Sequence, residues 1–305
     1  MTIRLVPFLV LVLLAACAPP SAVPVATPTP TMETASSGGR MAFVSERDGP
    51  SALYVLEVDT GETTRLSPPE LEDASHPAWS PDGSRIAFNA RGESLNDIYV
   101  INVDGSGLTR LTSEAGENFY PTWSPDSQQL AFSSNRDGPW QIYKMNADGS
   151  DVVRLTQTSV REEKPAWSPD GKSIAFMSLR DGNADVYVID ADGGNPRRLT
   201  THRASDLNPA WSPDGTLIAF NSSRDGGQGF GIYLMNVDGS DVRTLIQGDG
   251  WYEKPAWSPD GKQLALYSNR DDGNVDIYTI NADGSGLRRL TEEPAWDAQP
   301  SWEPE

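Results

Sequence analysis

The sequence predicts an all-β fold: a six-bladed β-propeller of four-stranded antiparallel blades, with the first blade completed by the C-terminal strand. Three observations carry this. Trp79, Trp123, Trp167, Trp211 and Trp257 each open a Trp-Ser-Pro-Asp stretch, at intervals of 44, 44, 44 and 46 residues. Between these marks the chain reads as short β-compatible runs separated by Gly, Pro and Asp turn signals, with no sustained helical period after residue 40. A degenerate sixth copy, Pro300-Ser301-Trp302, follows the fifth by 45 residues. A fixed period of this size is the mark of a solenoid or a propeller.

One repeat, 77–112, shows the elements in order. Pro-Ala-Trp forms a short strand A. Ser80-Pro81-Asp82-Gly83 has the residues of a type I turn, with φ preset at Pro81 and Gly at the fourth position. Arg85 to Phe88 is strand B, and Asp97 to Ile101 is strand C. Both are apolar on alternating faces, so both faces of the sheet must be covered. Asp104-Gly105-Ser106 is a hairpin signal, and Leu108 to Thr112 is strand D. A small meander covered on both faces by its own copies is a propeller blade. Strand D carries a repeated Arg (Arg65, Arg110, Arg154, Arg198, Arg289), read as an edge charge that discourages aggregation.

The count of blades follows. Residues 41–67 supply strands B, C and D but no strand A, and Pro300 to Trp302 supplies it. Five full repeats and this composite give six blades. The repeated residues Trp79, Trp123, Trp167, Trp211, Trp257 and Trp302 are therefore read as structural, packing between neighbouring blades.

The shared letters are P-x-W-S-P-D-G, I-A-F, R-D-G, I-Y, N-x-D-G and R-L-T. In these the chain resembles the TolB-type, WD40-like β-propeller repeats, over residues 41–305. Two departures stand out: Ser127 replaces the turn Gly, and Arg91-Gly92-Glu93 lacks the usual Asp. The resemblance implies a protein of the cell envelope whose propeller contacts a lipoprotein partner. TolB-type proteins also carry an N-terminal α/β domain; here only a tether stands between Cys17 and Arg40, and that domain is expected to be absent.

The N-terminal part reads differently. Arg4 precedes an apolar run from Leu5 to Ala16, 12 residues long and too short to span a bilayer. The ending Leu14-Ala15-Ala16-Cys17 resembles a bacterial lipobox. The expected organisation is a lipoprotein signal peptide over 1–16, a lipidated Cys17 heading a Pro/Thr/Ser-rich tether over 17–40, and the propeller over 41–305. This implies a membrane-anchored bacterial lipoprotein outside the cytoplasm, on the periplasmic side or the cell surface. Cys17 is the single cysteine, so no intrachain disulfide forms.

Composition narrows the function. The net charge of −19 offers no basic surface for nucleic acid. Two histidines, His76 and His202, cannot build a His-rich metal cage, and no G-x-S-x-G elbow occurs. The N-x-D-G turns look faintly like calcium loops but lack the further spaced acids and the bidentate Glu. No cofactor is expected, calcium being the one weighed.

Meander geometry puts the A–B and C–D turns on one face, and the B–C turns and the D-to-A crossings on the other. The turns are uniform, whereas the crossings vary and end at the channel mouth. The residue before each repeat Pro reads His76, Tyr120, Lys164, Asn208, Lys254 and Gln299 around the ring. Phe119, Glu162, Glu163, Asp206, Trp251, Tyr252, Glu253, Trp296 and Asp297 lie close by in sequence. Variable chemistry on a uniform scaffold is where binding sits. The reading is a non-catalytic, monomeric module that binds an envelope protein or glycan. The alternative is a carbohydrate-active enzyme, a lyase or hydrolase, that uses carboxylates at the channel mouth.

Overall fold

The computed structural model describes residues 39–113, 116–226 and 229–305; Cys17, the leader and nearly all of the tether lie outside them. Among the described residues the chain forms 24 strands and no helix. The strands make six four-stranded sheets, each a simple antiparallel meander. The second blade is typical: Ser75–Trp79, Arg85–Arg91, Asn96–Asn102 and Thr109–Arg110, paired in that order.

The ring closes as the sequence requires. Asp297–Trp302 pairs antiparallel with Arg40–Ser45, setting Met41 opposite Trp302 and Ser45 opposite Asp297. The Arg40 guanidinium meets the Glu303 carboxylate, and Glu303 N–H donates to the Arg40 carbonyl (2.9 Å).

The core lies between blades. Ile86 and Phe88 of the second blade pack against Ala42, Leu53 and Val55 of the first. Ala87, on the opposite face of the same strand, meets the cluster of Leu130, Phe132 and Tyr143 in the third. The I-A-F repeat thus sets a large pair on one face and a small residue on the other, so a bulky face fits a recessed one. Each fully buried Phe contributes roughly 2–3 kcal/mol. The tryptophans join these contacts. Trp123, Trp211 and Trp257 donate Nε1–H to the carbonyls of Ala78, Ala166 and Ala210 in the preceding blade (3.1, 3.1 and 3.2 Å). Trp79 donates instead to Gly83 of its own turn (3.2 Å), while the indole nitrogens of Trp167 and Trp302 are buried without a partner.

The repeated letters have local causes. In the Ser-Pro-Asp-Gly turn, Gly83 N–H donates to the Ser80 carbonyl (2.8 Å), and Asp82 accepts from Ser80 Oγ and Ser84 N (2.7 and 3.0 Å). Ser127 holds the left-handed φ of +59° that its glycine counterparts adopt, and its hydroxyl accepts from Asp82 N of the neighbouring blade (3.1 Å). Strand D is shorter than the sequence suggested, two to four residues per blade. The Thr of R-L-T replaces further backbone pairing: Thr112, Thr156, Thr200 and Thr291 each accept an N–H from strand C (2.9–3.0 Å). The preceding Arg is no free edge charge. Arg110, Arg198 and Arg289 reach the buried carboxylates of Asp97, Asp185 and Asp276 (2.6, 2.8 and 2.6 Å).

Candidate functional site

The six innermost strands each carry an irregularity of register. At each one the residue before the repeat Pro takes a left-handed conformation: φ is +54° at His76, +57° at Tyr120, +60° at Lys164, +51° at Asn208, +49° at Lys254 and +61° at Gln299. Non-glycine residues seldom do this, and the cost is of order 1–3 kcal/mol each. A bulge of this kind re-aims a side chain. Here five of the six, all but Gln299, line one cavity of about 180 Å³ at the axis, walled below by the repeat prolines. Gln299 turns to its neighbour, and its Oε1 accepts from His76 N (2.5 Å).

The second row comes from strand B. Asn89 sits beside His76 Nδ1 (3.0 Å), and Asn221 Oδ1 accepts from Asn208 Nδ2 (2.7 Å), leaving its own buried Nδ2 without a partner. Ser133 Oγ accepts from Lys164 N (3.0 Å), and the Tyr267 hydroxyl donates to Glu253 (3.0 Å).

Two aromatic groups flank the opening, in blades three places apart around the ring. One joins Phe119, Tyr120 and Trp140, with His76 edge-on to Tyr120 at 4.1 Å between centroids. The other joins Trp251, Tyr267 and Trp296. Burial and Glu163 push the Tyr120 hydroxyl up to about 12, and burial with Glu253 pushes Tyr267 higher still. Burial, then the charges of Lys254 and Lys164, holds His76 well below the usual imidazole range, so its ring is neutral. Burial and the Lys164 charge pull Lys254 down to about 7. Burial lowers Lys164 too, against the attraction of Glu253 and Glu163.

The family model for the TolB β-propeller domain matches residues 21–163, and that for the tricorn protease N-terminal β-propeller domain matches residues 140–230. TolB from Acinetobacter baumannii superposes with a TM-score of 0.77 at 25% identity, over 88% of this chain and 67% of that one. Over residues 21–163 the repeats match the TolB type. Putative TolB from Agrobacterium tumefaciens gives 0.70 at 24% identity, over 88% of this chain and 99% of that one. An oligogalacturonate lyase in complex with manganese gives 0.56 at 17%, over 84% and 74%, a likeness of fold alone. No curated protein sequence matches.

Several residues expected at the mouth of the propeller stand behind its wall. Glu162, Asp206 and Asp297 are fully buried, and each pairs with the Arg of an R-D-G turn: Arg180, Arg224 (3.0 Å) and Arg47 (2.9 Å). Those guanidiniums also stack on the Phe and Tyr of strands B and C, as Arg224 does at 5.0 and 4.9 Å. Tyr252 is 1% exposed within the apolar core of the sixth blade, its hydroxyl donating to the Asp249 carbonyl. Glu163 is buried against Arg161 (2.5 Å). Phe119, Trp251 and Trp296 stay on the rim. Sequence reasoning missed Trp140, Arg161 and Tyr267. Tyr267 occupies the strand-B position that is Asn89, Ser133, Met177 and Asn221 in other blades. That column of unlike letters was the signal.

Among the described residues no three His, Cys, Asp or Glu side chains gather as a metal site, and no helix is long and apolar enough to cross a membrane. The N-x-D-G carboxylates serve their own turns: Asp104, Asp148, Asp238 and Asp283 each accept from the backbone N–H two residues on (2.9 Å).

Proposed function

We propose that this protein is an extracytoplasmic binding module, anchored through lipid on Cys17, that holds a protein or glycan of the cell envelope at its channel mouth and performs no catalysis itself. One observation carries the reading. Six bulges, one in each innermost strand, place residues of five kinds around one axis at a cost in backbone strain, and five of the six side chains line the cavity there. The two aromatic groups supply apolar contact above the cavity, and Glu253, Lys164 and Lys254 select by charge. The chain enters the ring at Arg40 on the turn face, opposite this mouth.

The carboxylates a glycosidase or lyase would use are already engaged. Glu162 and Glu163 are held by arginines, and Glu253 accepts from Tyr267.

The test begins with the propeller, residues 39–305, as bait in envelope extracts, followed by affinity measurement on the purified partner. Tyr120→Ala and Trp251→Ala are expected to weaken binding by about 2 kcal/mol or more each, roughly thirtyfold. Asp148→Ala and Asp238→Ala, on the turn face, should leave it unchanged. The reverse pattern, with folded variants, places binding on the turn face. For the anchor, the wild type should partition with membranes and Cys17→Ser should not.

A further inference from the structure

We propose that the channel floor is a carboxylate site, in which Lys164 and Lys254 hold the anionic end of the ligand. This rests on the reading that the mouth is the binding surface, and names what it binds.

The starting point is a break in the way this molecule treats buried charge. Seven buried carboxylates, Asp97, Glu162, Glu163, Asp185, Asp206, Asp276 and Asp297, each meet an arginine. The two lysines of the cavity do not follow that rule. Both lysines are half-buried in the cavity, and among the described residues neither ammonium has a hydrogen bond or an ion pair; Lys164 Nζ lies 5.5 Å from the Tyr120 ring centroid, and the charge acting on Lys254 is that of Lys164. The chain has a net charge of −19, so carboxylates to pair with them were plentiful. Charges taken out of water without a partner are costly. A partner that arrives from outside removes that cost.

The surroundings define the partner. The wall at this level is proline, which has no N–H, and no guanidinium lines the cavity, so the ammoniums are its charged donors. Asn208 stands between the two lysines around the ring, and the amide nitrogen of Asn221 behind it also lacks an acceptor. Glu253, with the buried Glu163 behind the wall, balances part of the charge of Lys164 and disfavours a dianion, which points to a carboxylate over a phosphate. A cavity of about 180 Å³ is smaller than the roughly 300 Å³ at which small-molecule sites begin. It admits one end of a ligand and leaves the remainder among Phe119, Tyr120, Trp251 and Trp296.

A carboxylate can come from a chain end or from an acidic sugar, and two matched pairs of probes separate the sources. These are N-acetyltyrosine against its amide, and methyl glucuronide against methyl glucoside, titrated at millimolar concentration into the full chain and followed by NMR. At least one acid should bind about tenfold or more tightly than its neutral counterpart. Lys164→Met and Lys254→Met should each erase that preference, while Tyr120→Ala weakens acid and neutral probe alike. The preference should also fall as pH rises past 7, where Lys254 loses its proton while His76 stays neutral throughout. Equal binding of acid and neutral probes, binding of neither acid, or a preference that survives both lysine changes overturns the proposal. A partner that depends on Tyr120 but is indifferent to both lysine changes leaves the mouth as the binding surface and removes the carboxylate site. Thermal melting of each variant separates lost binding from lost fold.

Discussion

Lys254 is unusual among the side chains of this propeller because folding works against its charge. Burial and the nearby Lys164 bring its pKa from 10.5 to about 7. Between those values the unfolded chain holds a proton that the folded chain does not. The wild-type fold therefore gains stability as pH rises from 7 toward 10.5, and loses it as pH falls from 10.5 back to about 7. Lys254→Met should melt higher than wild type by a few degrees below pH 7, at about 2–4 °C per kcal/mol for a domain of this size. The difference should shrink steadily toward pH 10.5. Melting curves of the two proteins across this range check it; a constant difference would mean that the lysine is charged and solvated throughout.

At the scale of the strand and its turn, the R-D-G motif emerges as a built unit. Arg180 donates to Ser178 Oγ (3.1 Å), lies over the rings of Phe176 and Tyr187, and pairs with Glu162 on the innermost strand. Asp181 in turn accepts from the Tyr187 hydroxyl. Removing one partner strands a charge in the sheet. Arg180→Ala should cost about 3–5 kcal/mol in urea unfolding, because Glu162 is fully buried. The double change to Arg180→Met and Glu162→Leu should recover most of that loss. This unit also explains what could and could not be read from the sequence. Spacing of Trp and turn residues was enough to give blade number, strand order and ring closure, because a turn needs particular letters at particular places. The six residues before Pro were legible as a set because unlike letters recur at one fixed position. The surroundings of Glu162, Asp206 and Tyr252 were not. Period-two reasoning puts residues 162 and 164 on one side of a strand, but the bulge between Glu163 and Ala166 breaks that count. Lys164 reaches the channel and Glu162 turns into the blade. A bulge has no letter of its own.

At the scale of the whole ring, stability depends on a strand contributed from the far end of the sequence. Asp297–Trp302 carries Asp297, which is buried against Arg47, Ala298 in the core, and Gln299 on His76. Deleting residues 297–305 exposes the face of strand B in the first blade and leaves Arg47 without its carboxylate. A loss of more than about 4 kcal/mol is expected, from the sum of a broken buried pair and lost apolar burial. That is a large share of the 5–15 kcal/mol usual for a folded protein. Denaturant unfolding of the truncated chain checks it, and a midpoint close to wild type would show that five blades and a remnant suffice.

The composite blade also imposes an order in time. The strand that begins at Arg40 leaves the ribosome more than two hundred residues before its partner, so until Asp297–Trp302 is made the circle has a gap. His76 has no Gln299 to hold its backbone until that gap shuts. The axial site is therefore complete only once that strand is in place, and a chain that lacks it has an open arc instead of a ring. Closure would then act as a check on assembly: on the reading proposed above, the ligand meets a full ring only after Asp297–Trp302 has docked.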